Sequence, residues 1–247
     1  MHPKSLLTLF DVNAKKIEEM IAKAIEIKKN PKKYANALQG KTLLMIFEKP
    51  SLRTRVSFQV AMQKLGGNTV VVENQYLPLV NKESIEDTAR VSSRYVDGIM
   101  ARLFLHSELV KLAQNATIPI INGLTNDYHP VQILCDLLTI TEKKGTLKGL
   151  KLCYLGDGNN NVTHSLIIGC AHMGINLFIG CPKNLQPQKE IVEKAKKLLS
   201  SKESQLVITD NAEEAVKDAD IVYTDSWMSY HTPPDQKEQR MKLLKPF

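Results

Sequence analysis

The sequence predicts an α/β protein of two domains, each with a central parallel sheet flanked by helices. Short β-rich runs alternate with helix-like stretches over most of the chain, and this alternation is typical of parallel sheets covered on both faces. A polar segment with two glycines, at 142–149, interrupts the pattern before a fresh strand. Because polar segments of this kind often join domains, we expect domains at 1–145 and 146–247.

The individual elements follow from the spacing of apolar residues. Ile17, Met20, Ile21 and Ala24 share one face of a first predicted helix, and Asn30-Pro31 ends it. A later helix is expected to begin at Ser84-Ile85-Glu86-Asp87, which has the pattern of a helix cap. Strands are expected at 41–47, 68–72, 97–101, 118–121, 151–155, 175–180, 206–208 and 220–224. Helices are expected at 13–29, 53–65, 84–94, 107–115, 130–144, 161–173, 187–200 and 211–217.

Length and composition limit the class of protein. The 247 residues are enough to bury a core without disulfide or metal support. The longest apolar runs are far shorter than the roughly 20 residues that cross a bilayer, and the first residues lack the apolar stretch of a signal peptide. The four cysteines show no metal-ligand spacing: Cys135, Cys153, Cys170 and Cys181. We therefore expect a cytoplasmic protein with reduced, mostly buried thiols and no membrane partner.

The formal net charge of +7 allows two interpretations. A positive field can attract an anionic ligand, or the lysines can simply decorate solvated helix faces. The lysines are scattered along the chain, and aromatic residues are only 6%, so the sequence offers no stacking platform for bases. We expect no nucleic acid partner.

The segment Ser51-Leu52-Arg53-Thr54-Arg55 lies between a predicted strand and a predicted helix. Backbone N–H groups at a helix start bind anions. The hydroxyl and guanidinium groups of this segment add donors that suit a phosphate. The segment therefore predicts a phosphate-like ligand; the alternative is a solvated helix start that arginines cap.

A second loop, Asp127-Tyr128-His129-Pro130-Val131-Gln132, also enters a predicted helix. His129 can donate to a developing oxyanion, and the amide of Gln132 can recognise an NH₂ group. A lone histidine is more often structural. Arg102, which follows the predicted strand at 97–101, favours the functional interpretation.

Two polar loops in the second predicted domain suit an amino-acid-like ligand. Gly156-Asp157-Gly158-Asn159-Asn160-Asn161 offers several amide groups. It departs from the dinucleotide fingerprint because Asn161 stands where the third glycine belongs, so a nicotinamide cofactor is disfavoured. Asp225, at the end of the last predicted strand, can pair with an ammonium group or form a simple strand-end turn.

Five features occur in the order and spacing of the transcarbamoylase family: Ser-x-Arg-Thr-Arg, a strand-end arginine, His-Pro-x-Gln, Gly-Asp-Gly-x-Asn-Asn and Asp-x-Trp-x-Ser. The resemblance runs from about residue 5 to the last residue, and the last two motifs are similar to the ornithine branch. It implies the transcarbamoylase fold, with a carbamoyl phosphate-binding domain at 1–145 and an ornithine-binding domain at 146–247. It also implies a homotrimer, a role in arginine biosynthesis, and no cofactor or metal.

The resemblance implies a role for individual residues. Thr54, Arg102 and His129 would act in catalysis by holding the carbonyl oxygen of carbamoyl phosphate while the δ-amine of ornithine attacks. The carbamoyl phosphate site would comprise Ser51, Leu52, Arg53, Thr54, Arg55, Arg102, His129 and Gln132. The ornithine site would comprise Asn160, Asn161, Asp225, Ser229 and Tyr230. The products would be citrulline and phosphate.

The sequence departs from the family pattern at four places. Leu52 replaces a second hydroxyl residue, Pro78 a donor that reaches a neighbouring subunit, and Tyr230 a methionine. The family's His-Cys-Leu-Pro motif has no counterpart before Phe247, so the second domain is expected to be incomplete at its C-terminal end. These departures leave two alternatives open: a related carbamoyltransferase acting on putrescine or an acylated ornithine, and a non-catalytic carbamoyl phosphate-binding protein.

Overall fold

The computed structural model describes residues 5–73, 83–199, 204–228, 235 and 237–247. The chain divides into two compact units, Met1–Val131 and Gln132–Phe247. Each unit contains one sheet of four parallel strands with helices between the strands. The predicted fold class is confirmed. The domain boundary expected at 145/146 stays a prediction.

The elements of the first unit follow the predicted alternation to within a few residues. Its helices are α1 (Ala14–Lys29), α2 (Leu52–Lys64), α3 (Ile85–Ser92) and α4 (His106–Asn115). Its strands are β1 (Thr42–Phe47), β2 (Asn68–Glu73), β3 (Gly98–Arg102) and β4 (Ile120–Leu124). Ser84 caps α3 as expected, since its hydroxyl accepts from the backbone N–H of Asp87.

The first sheet has the strand order β2-β1-β3-β4. β1 and β3 are the central strands, and both faces of the sheet are covered. Successive side chains of β1 point to opposite faces and therefore pack into two different cores. Leu44 and Ile46 belong to one apolar cluster, whereas Leu43, Met45 and Phe47 belong to a second cluster. The two clusters hold β1 and β3 rigidly, so the carboxyl ends of these strands are fixed points for the loops that follow.

The second unit begins within α5 (Pro130–Lys144), which follows directly on His129. Its other helices are α6 (Asn161–Met173), α7 (Lys189–Lys196), α8 (Ala212–Val216) and α9 (Lys237–Leu244). Its strands are β5 (Lys151–Leu155), β6 (Asn176–Gly180), β7 (Leu206–Thr209) and β8 (Ile221–Tyr223), in the order β7-β6-β5-β8. The sequence patterns predicted all of these elements except α9.

Two further expectations bear on the class of protein. Cys153, Cys170 and Cys181 are buried free thiols, while Cys135 is exposed and also free. Within the described residues, no helix combines the length and apolar character that a membrane span requires.

Candidate functional site

Three loops meet the carboxyl edge of the first sheet, where open α/β sheets bind ligands. One loop follows β1 at 48–51, Arg102 ends β3, and a third loop follows β4 at 125–129. The Glu48 N–H donates to the Arg102 carbonyl over 2.9 Å. The Asn126 N–H donates to the Phe104 carbonyl, also over 2.9 Å. The backbone therefore links the three loops directly.

A β-bulge sets the position of Arg102. The register between β3 and β4 shifts after Ala101, so that Ala101 pairs with Asn122 and Arg102 with Leu124. Gly123 is the residue passed over, and a Cβ built there would lie 2.2 Å from the Sδ atom of Met100. Bulges of this kind re-aim side chains beside functional sites. Here the bulge lies at Arg102, a residue that is only 5% exposed.

His129 sits at the end of the third loop, just before α5. Burial and, secondarily, the positive charge of Arg102 lower the pKa of His129 to about 3. The imidazole is therefore neutral at physiological pH, with one ring nitrogen as a donor and the other as an acceptor. A neutral donor beside a buried arginine suits a carbonyl oxygen that gains negative charge.

Lys49 is a buried cation that the sequence patterns did not single out. It is 1% exposed, donates to the Asn126 Oδ1 atom over 2.5 Å, and lies 4.5 Å from the centre of the Phe104 ring. Burial and then the charge of Arg102 lower its pKa to about 8. At neutral pH this edge of the sheet thus holds two buried positive charges, those of Lys49 and Arg102. Lys49 stands two residues before the predicted phosphate segment.

The predicted phosphate segment opens α2. Ser51 is the N-cap residue, Leu52 and Arg53 are exposed, and Thr54 is half-buried. Arg55 forms an ion pair with Glu73 at the end of β2. The Ser51 side chain makes no capping hydrogen bond to α2 in the structure. It therefore does not occupy the N–H groups of the first turn, and an anion site at a helix start uses these groups.

Asn160 and Asn161 lie at the carboxyl edge of the second sheet, where β5 leads into α6. Asn160 is the N-cap: its carbonyl accepts from the Thr163 N–H over 2.9 Å, and its NH₂ donates to the Tyr154 hydroxyl over 3.0 Å. The Asn160 amide therefore binds β5 through its NH₂ group and α6 through its carbonyl. Asn161 is half-buried at the first position of α6.

Asp225 follows β8, which pairs with β5 in the register Tyr154 to Tyr223. The two ornithine loops predicted from the sequence therefore follow neighbouring strands, and Asp225 is exposed. An ion pair anchors this edge, because Arg240 of α9 contacts the buried carboxylate of Asp157. Arg240 also donates through its Nε atom to the Trp227 carbonyl over 2.6 Å.

Gln132 lies in the first turn of α5 and belongs to the second unit. Its Nε2 atom donates to the Asp136 Oδ1 atom over 2.9 Å. The second carboxylate oxygen of Asp136 accepts from the Tyr223 hydroxyl, also over 2.9 Å. Burial raises the pKa of Asp136, and hydrogen bonds from Gln132 and Tyr223 oppose that rise.

Some expected residues lie outside the described part of the chain, namely Pro78, Ser229 and Tyr230. Conversely, sequence reasoning missed Lys49, Asp136, Tyr223 and Arg240. Two of them carried a usable signal: Lys49 stands two residues before Ser51, and Asp136 stands one helical turn after Gln132. The contacts of Tyr223 and Arg240 are long-range, and no local pattern indicates them.

Comparison with family models places both units in one family. The model described as aspartate/ornithine carbamoyltransferase, carbamoyl-P binding domain, matches residues 4–142. The model described as aspartate/ornithine carbamoyltransferase, Asp/Orn binding domain, matches residues 148–247.

Individual relatives agree with these models. The chain is 47% identical to the ornithine carbamoyltransferase of Anoxybacillus flavithermus over 99% of its own length and 78% of the relative's. It is also 47% identical to the ornithine carbamoyltransferase of Bacillus subtilis, over 100% of its own length and 76% of the relative's. The solved ornithine carbamoyltransferase of Pyrococcus furiosus matches with a TM-score of 0.92 and 44% identity, over 99% of this chain and 78% of that one.

Proposed function

The chain belongs to the aspartate/ornithine carbamoyltransferase family, and on this basis we propose that it transfers the carbamoyl group of carbamoyl phosphate to the δ-amine of L-ornithine. The products are L-citrulline and phosphate. The observation that carries the proposal is the edge of the first sheet, where a helix start, Arg102 and neutral His129 come together. The names of the relatives support ornithine rather than putrescine or an acylated ornithine as the acceptor.

Carbamoyl phosphate binds, in this proposal, at the edge of the first sheet. Its phosphate is held by the first turn of α2, through the backbone and the side chains of Ser51, Arg53, Thr54 and Arg55, with Leu52 lining the turn. The carbonyl oxygen takes donors from Thr54, Arg102 and His129. Gln132 binds the carbamoyl NH₂. Two buried cations near this edge favour a dianionic ligand by Coulomb attraction.

Ornithine binds in the second unit, at the loops after β5 and β8. We assign Asn161 and Asp225 as its direct partners, together with Ser229 and Tyr230 as the family resemblance implies. Asn160 is assigned the role of shaping the loop, because its amide already binds Tyr154 and Thr163. The domain boundary is proposed at 145/146, between the segments that the two family models match.

The reaction needs a neutral δ-amine, whose lone pair forms a C–N bond with the carbonyl carbon. The carbonyl oxygen becomes an oxyanion that Thr54, Arg102 and His129 stabilise with preorganised donors. The C–O bond to phosphate then breaks, and phosphate leaves with the electron pair. The departing phosphate is an acceptor for the proton that the nitrogen loses. Most of the rate gain comes from positioning and fixed dipoles.

The proposal extends to assembly and setting. We propose a homotrimer that acts in the cytoplasm in arginine biosynthesis. An exposed apolar stripe on α2 supports an interface on the first unit: Leu52 is 78% exposed, Val56 48% and Val60 39%. Residues spaced by four share one helix face, so these three side chains form a continuous surface.

A citrulline assay tests the function. The purified chain with carbamoyl phosphate and ornithine should form citrulline, and Arg53→Ala should weaken carbamoyl phosphate binding about tenfold or more, because charged hydrogen bonds are strong. Arg94→Ala removes an exposed arginine elsewhere in the first unit and serves as the matched control. Equal affinities in the two variants would refute the phosphate assignment. Binding of carbamoyl phosphate without any citrulline would favour a non-catalytic binding protein.

A further inference from the structure

We propose that Asp136 is a positioning residue that fixes the side-chain amide of Gln132, and that this lets the site distinguish the NH₂ group of carbamoyl phosphate from a methyl group. The inference rests on the proposed function, because it concerns the same carbamoyl phosphate site. It goes further by assigning a specificity role to Asp136 and a supporting role to Tyr223.

The geometry fixes one end of the Gln132 amide. Gln132 and Asp136 lie four residues apart on α5 and therefore face each other across one turn. The Gln132 Nε2 atom donates to one carboxylate oxygen of Asp136, and the Tyr223 hydroxyl donates to the other, each over 2.9 Å. Both oxygens of Asp136 thus have donors.

The chemistry of the two groups explains why only one orientation is stable. A glutamine amide has an NH₂ end that donates and a carbonyl end that accepts, and the two ends are similar in size. An ionised carboxylate only accepts, so it binds the NH₂ end. A flipped amide would instead set the Gln132 carbonyl against the oxygens of Asp136. The carboxylate therefore keeps the carbonyl oxygen of Gln132 directed away from itself, as an acceptor.

That acceptor decides which ligand is preferred. A carbamoyl NH₂ group offers two donors, and the Gln132 carbonyl can accept from one of them. An acetyl group offers a methyl in the same place, which leaves the acceptor desolvated without a bond. Sites built to bind an NH group reject analogues that lack it for this reason. A freely rotating Gln132 amide would lose part of this discrimination. In its flipped orientation it would face the ligand with its own NH₂ group, which cannot accept from the carbamoyl NH₂.

Tyr223 holds the carboxylate of Asp136 in place through a hydrogen bond. Its hydroxyl bond to Asp136 favours the ionised carboxylate against the effect of burial, which raises the pKa of Asp136. The Tyr223 ring lies 5.9 Å from the Tyr154 ring, and the Tyr154 hydroxyl donates to the Asp157 carbonyl over 2.9 Å. The support for Gln132 therefore extends to the loop that precedes α6.

Calorimetric titration with carbamoyl phosphate and with acetyl phosphate tests the inference. The two anions share a phosphate and a carbonyl and differ in NH₂ against CH₃. The parent chain should prefer carbamoyl phosphate. Asp136→Asn should reduce that preference about tenfold, the worth of roughly one hydrogen bond, with little change in affinity for acetyl phosphate. Thr139→Ala, an exposed position on the same helix, is the matched control.

A double variant shows whether Asp136 acts through Gln132. Gln132→Ala should lose the same preference, and adding Asp136→Asn to it should cause no further loss, because coupled residues are not additive. If Asp136→Asn does not fold, Tyr223→Phe keeps the carboxylate and should lower the preference in the same direction.

The outcomes separate this inference from the proposed function. A parent chain without preference for carbamoyl phosphate would overturn both. A parent chain that prefers carbamoyl phosphate, with the full preference retained in Asp136→Asn or in a folded Tyr223→Phe, would overturn the positioning role alone. Equal weakening of both anions in Asp136→Asn would also overturn it, because that result marks a purely structural defect.

Discussion

At the scale of single residues, Lys49 keeps a positive charge in a place that disfavours it. Its ammonium group lies between Asn126 and the ring of Phe104, and its pKa of about 8 is well below the ordinary lysine value because of burial and of Arg102. A pKa lowered by folding means that the charged form costs stability. We infer that this loss of stability is accepted because the charge attracts the dianionic ligand proposed for this edge.

Replacing Lys49 with methionine should therefore separate stability from binding. Lys49→Met should raise the free energy of unfolding at pH 7 by about 1 kcal/mol, since apolar replacements of buried charges are often stabilising, and should weaken carbamoyl phosphate binding about tenfold. Unfolded lysine keeps its proton up to its ordinary pKa, whereas folded Lys49 releases it near pH 8. The parent therefore gains stability as pH rises above 8, and the advantage of the variant should shrink there.

Denaturant titrations at pH 7 and pH 10, with calorimetry at pH 7, measure both effects. A variant that is less stable than the parent by the same amount at both pH values would contradict the assignment of a destabilising buried charge.

His129 gives a second prediction at this scale. Its pKa of about 3 follows from burial and from Arg102, so its ring should show no titration between pH 8 and pH 5. The unfolded chain takes up a proton near pH 6.5 while the folded chain does not. Folding stability linked to His129 is therefore complete above pH 6.5 and is lost as pH falls toward 3.

NMR of the imidazole resonances, assigned by their loss in His129→Asn, measures this directly. His106, a half-buried histidine of the first unit, serves as an internal reference. A His129 resonance that shifts with a midpoint near 6.5 would contradict the burial of this ring beside a cation.

At the scale of secondary structure elements, α9 acts as a brace for two loops of the second unit. Arg240 joins the carboxylate of Asp157 to the carbonyl of Trp227. Asp157 is 3% exposed, and its other carboxylate oxygen accepts from the Asn159 N–H over 2.9 Å. One helix thereby sets the loops after β5 and β8, on which the proposed ornithine site depends.

Arg240→Met should leave the carboxylate of Asp157 buried without its cation and cost about 3 kcal/mol of stability, as broken buried pairs do. The affinity for ornithine should fall more than the affinity for carbamoyl phosphate. Lys242→Met, at an exposed position of the same helix, is the control. Chemical denaturation and calorimetry with each substrate measure the two effects, and equal losses for both substrates would contradict a local role for α9.

The elements also show which parts of the fold can be predicted from sequence patterns and which cannot. The strands were predicted because buried parallel strands are short runs of β-branched and apolar residues, as in β1. The cap at Ser84 was predictable because its partner is three residues away. By contrast, α9 has no apolar stripe to reveal it, and its anchor at Asp157 lies 83 positions away in the sequence. The bulge at Arg102 depends on the pairing of two strands and has no local signature.

At the scale of the whole molecule, the order of the five motifs predicted the family, which no single site residue could do. The ends of strands and the starts of helices predict a phosphate-like ligand at 51–55 and roles for Arg102 and His129, and these roles stay predictions. Asn160 is predicted as a ligand residue, and in the structure its amide binds Tyr154 of β5 and Thr163 of α6. Sequence alone could not tell which of Asn160 and Asn161 caps α6, because both side chains offer the same chemical group.

Assembly supplies the prediction at this scale. The purified chain should behave as a homotrimer in light scattering, and Val56→Lys with Val60→Lys should yield smaller species by placing charges on the apolar stripe of α2. Val216→Lys adds a charge at an exposed valine of the second unit and should leave the mass unchanged. A monomeric parent chain, or a double variant with the parent's mass, would contradict an interface at α2.

The order of the strands also has a consequence for biosynthesis. The second sheet seats β8 beside β5, and the Lys151 N–H bonds the carboxylate of Asp220 across 69 positions of sequence. In the first unit, β4 pairs with a segment near the start of the chain, because the Leu6 N–H donates to the Ile120 carbonyl. As a ribosome delivers the chain, the first unit can fold once β4 has emerged. The β8 side of β5 then remains an open strand edge while five further elements, α6, β6, α7, β7 and α8, are synthesised. Open strand edges are where nascent chains associate with one another. Slow decoding of codons between β5 and β8 would lengthen that exposure, so translation speed over this interval should influence the yield of soluble protein more than it does elsewhere.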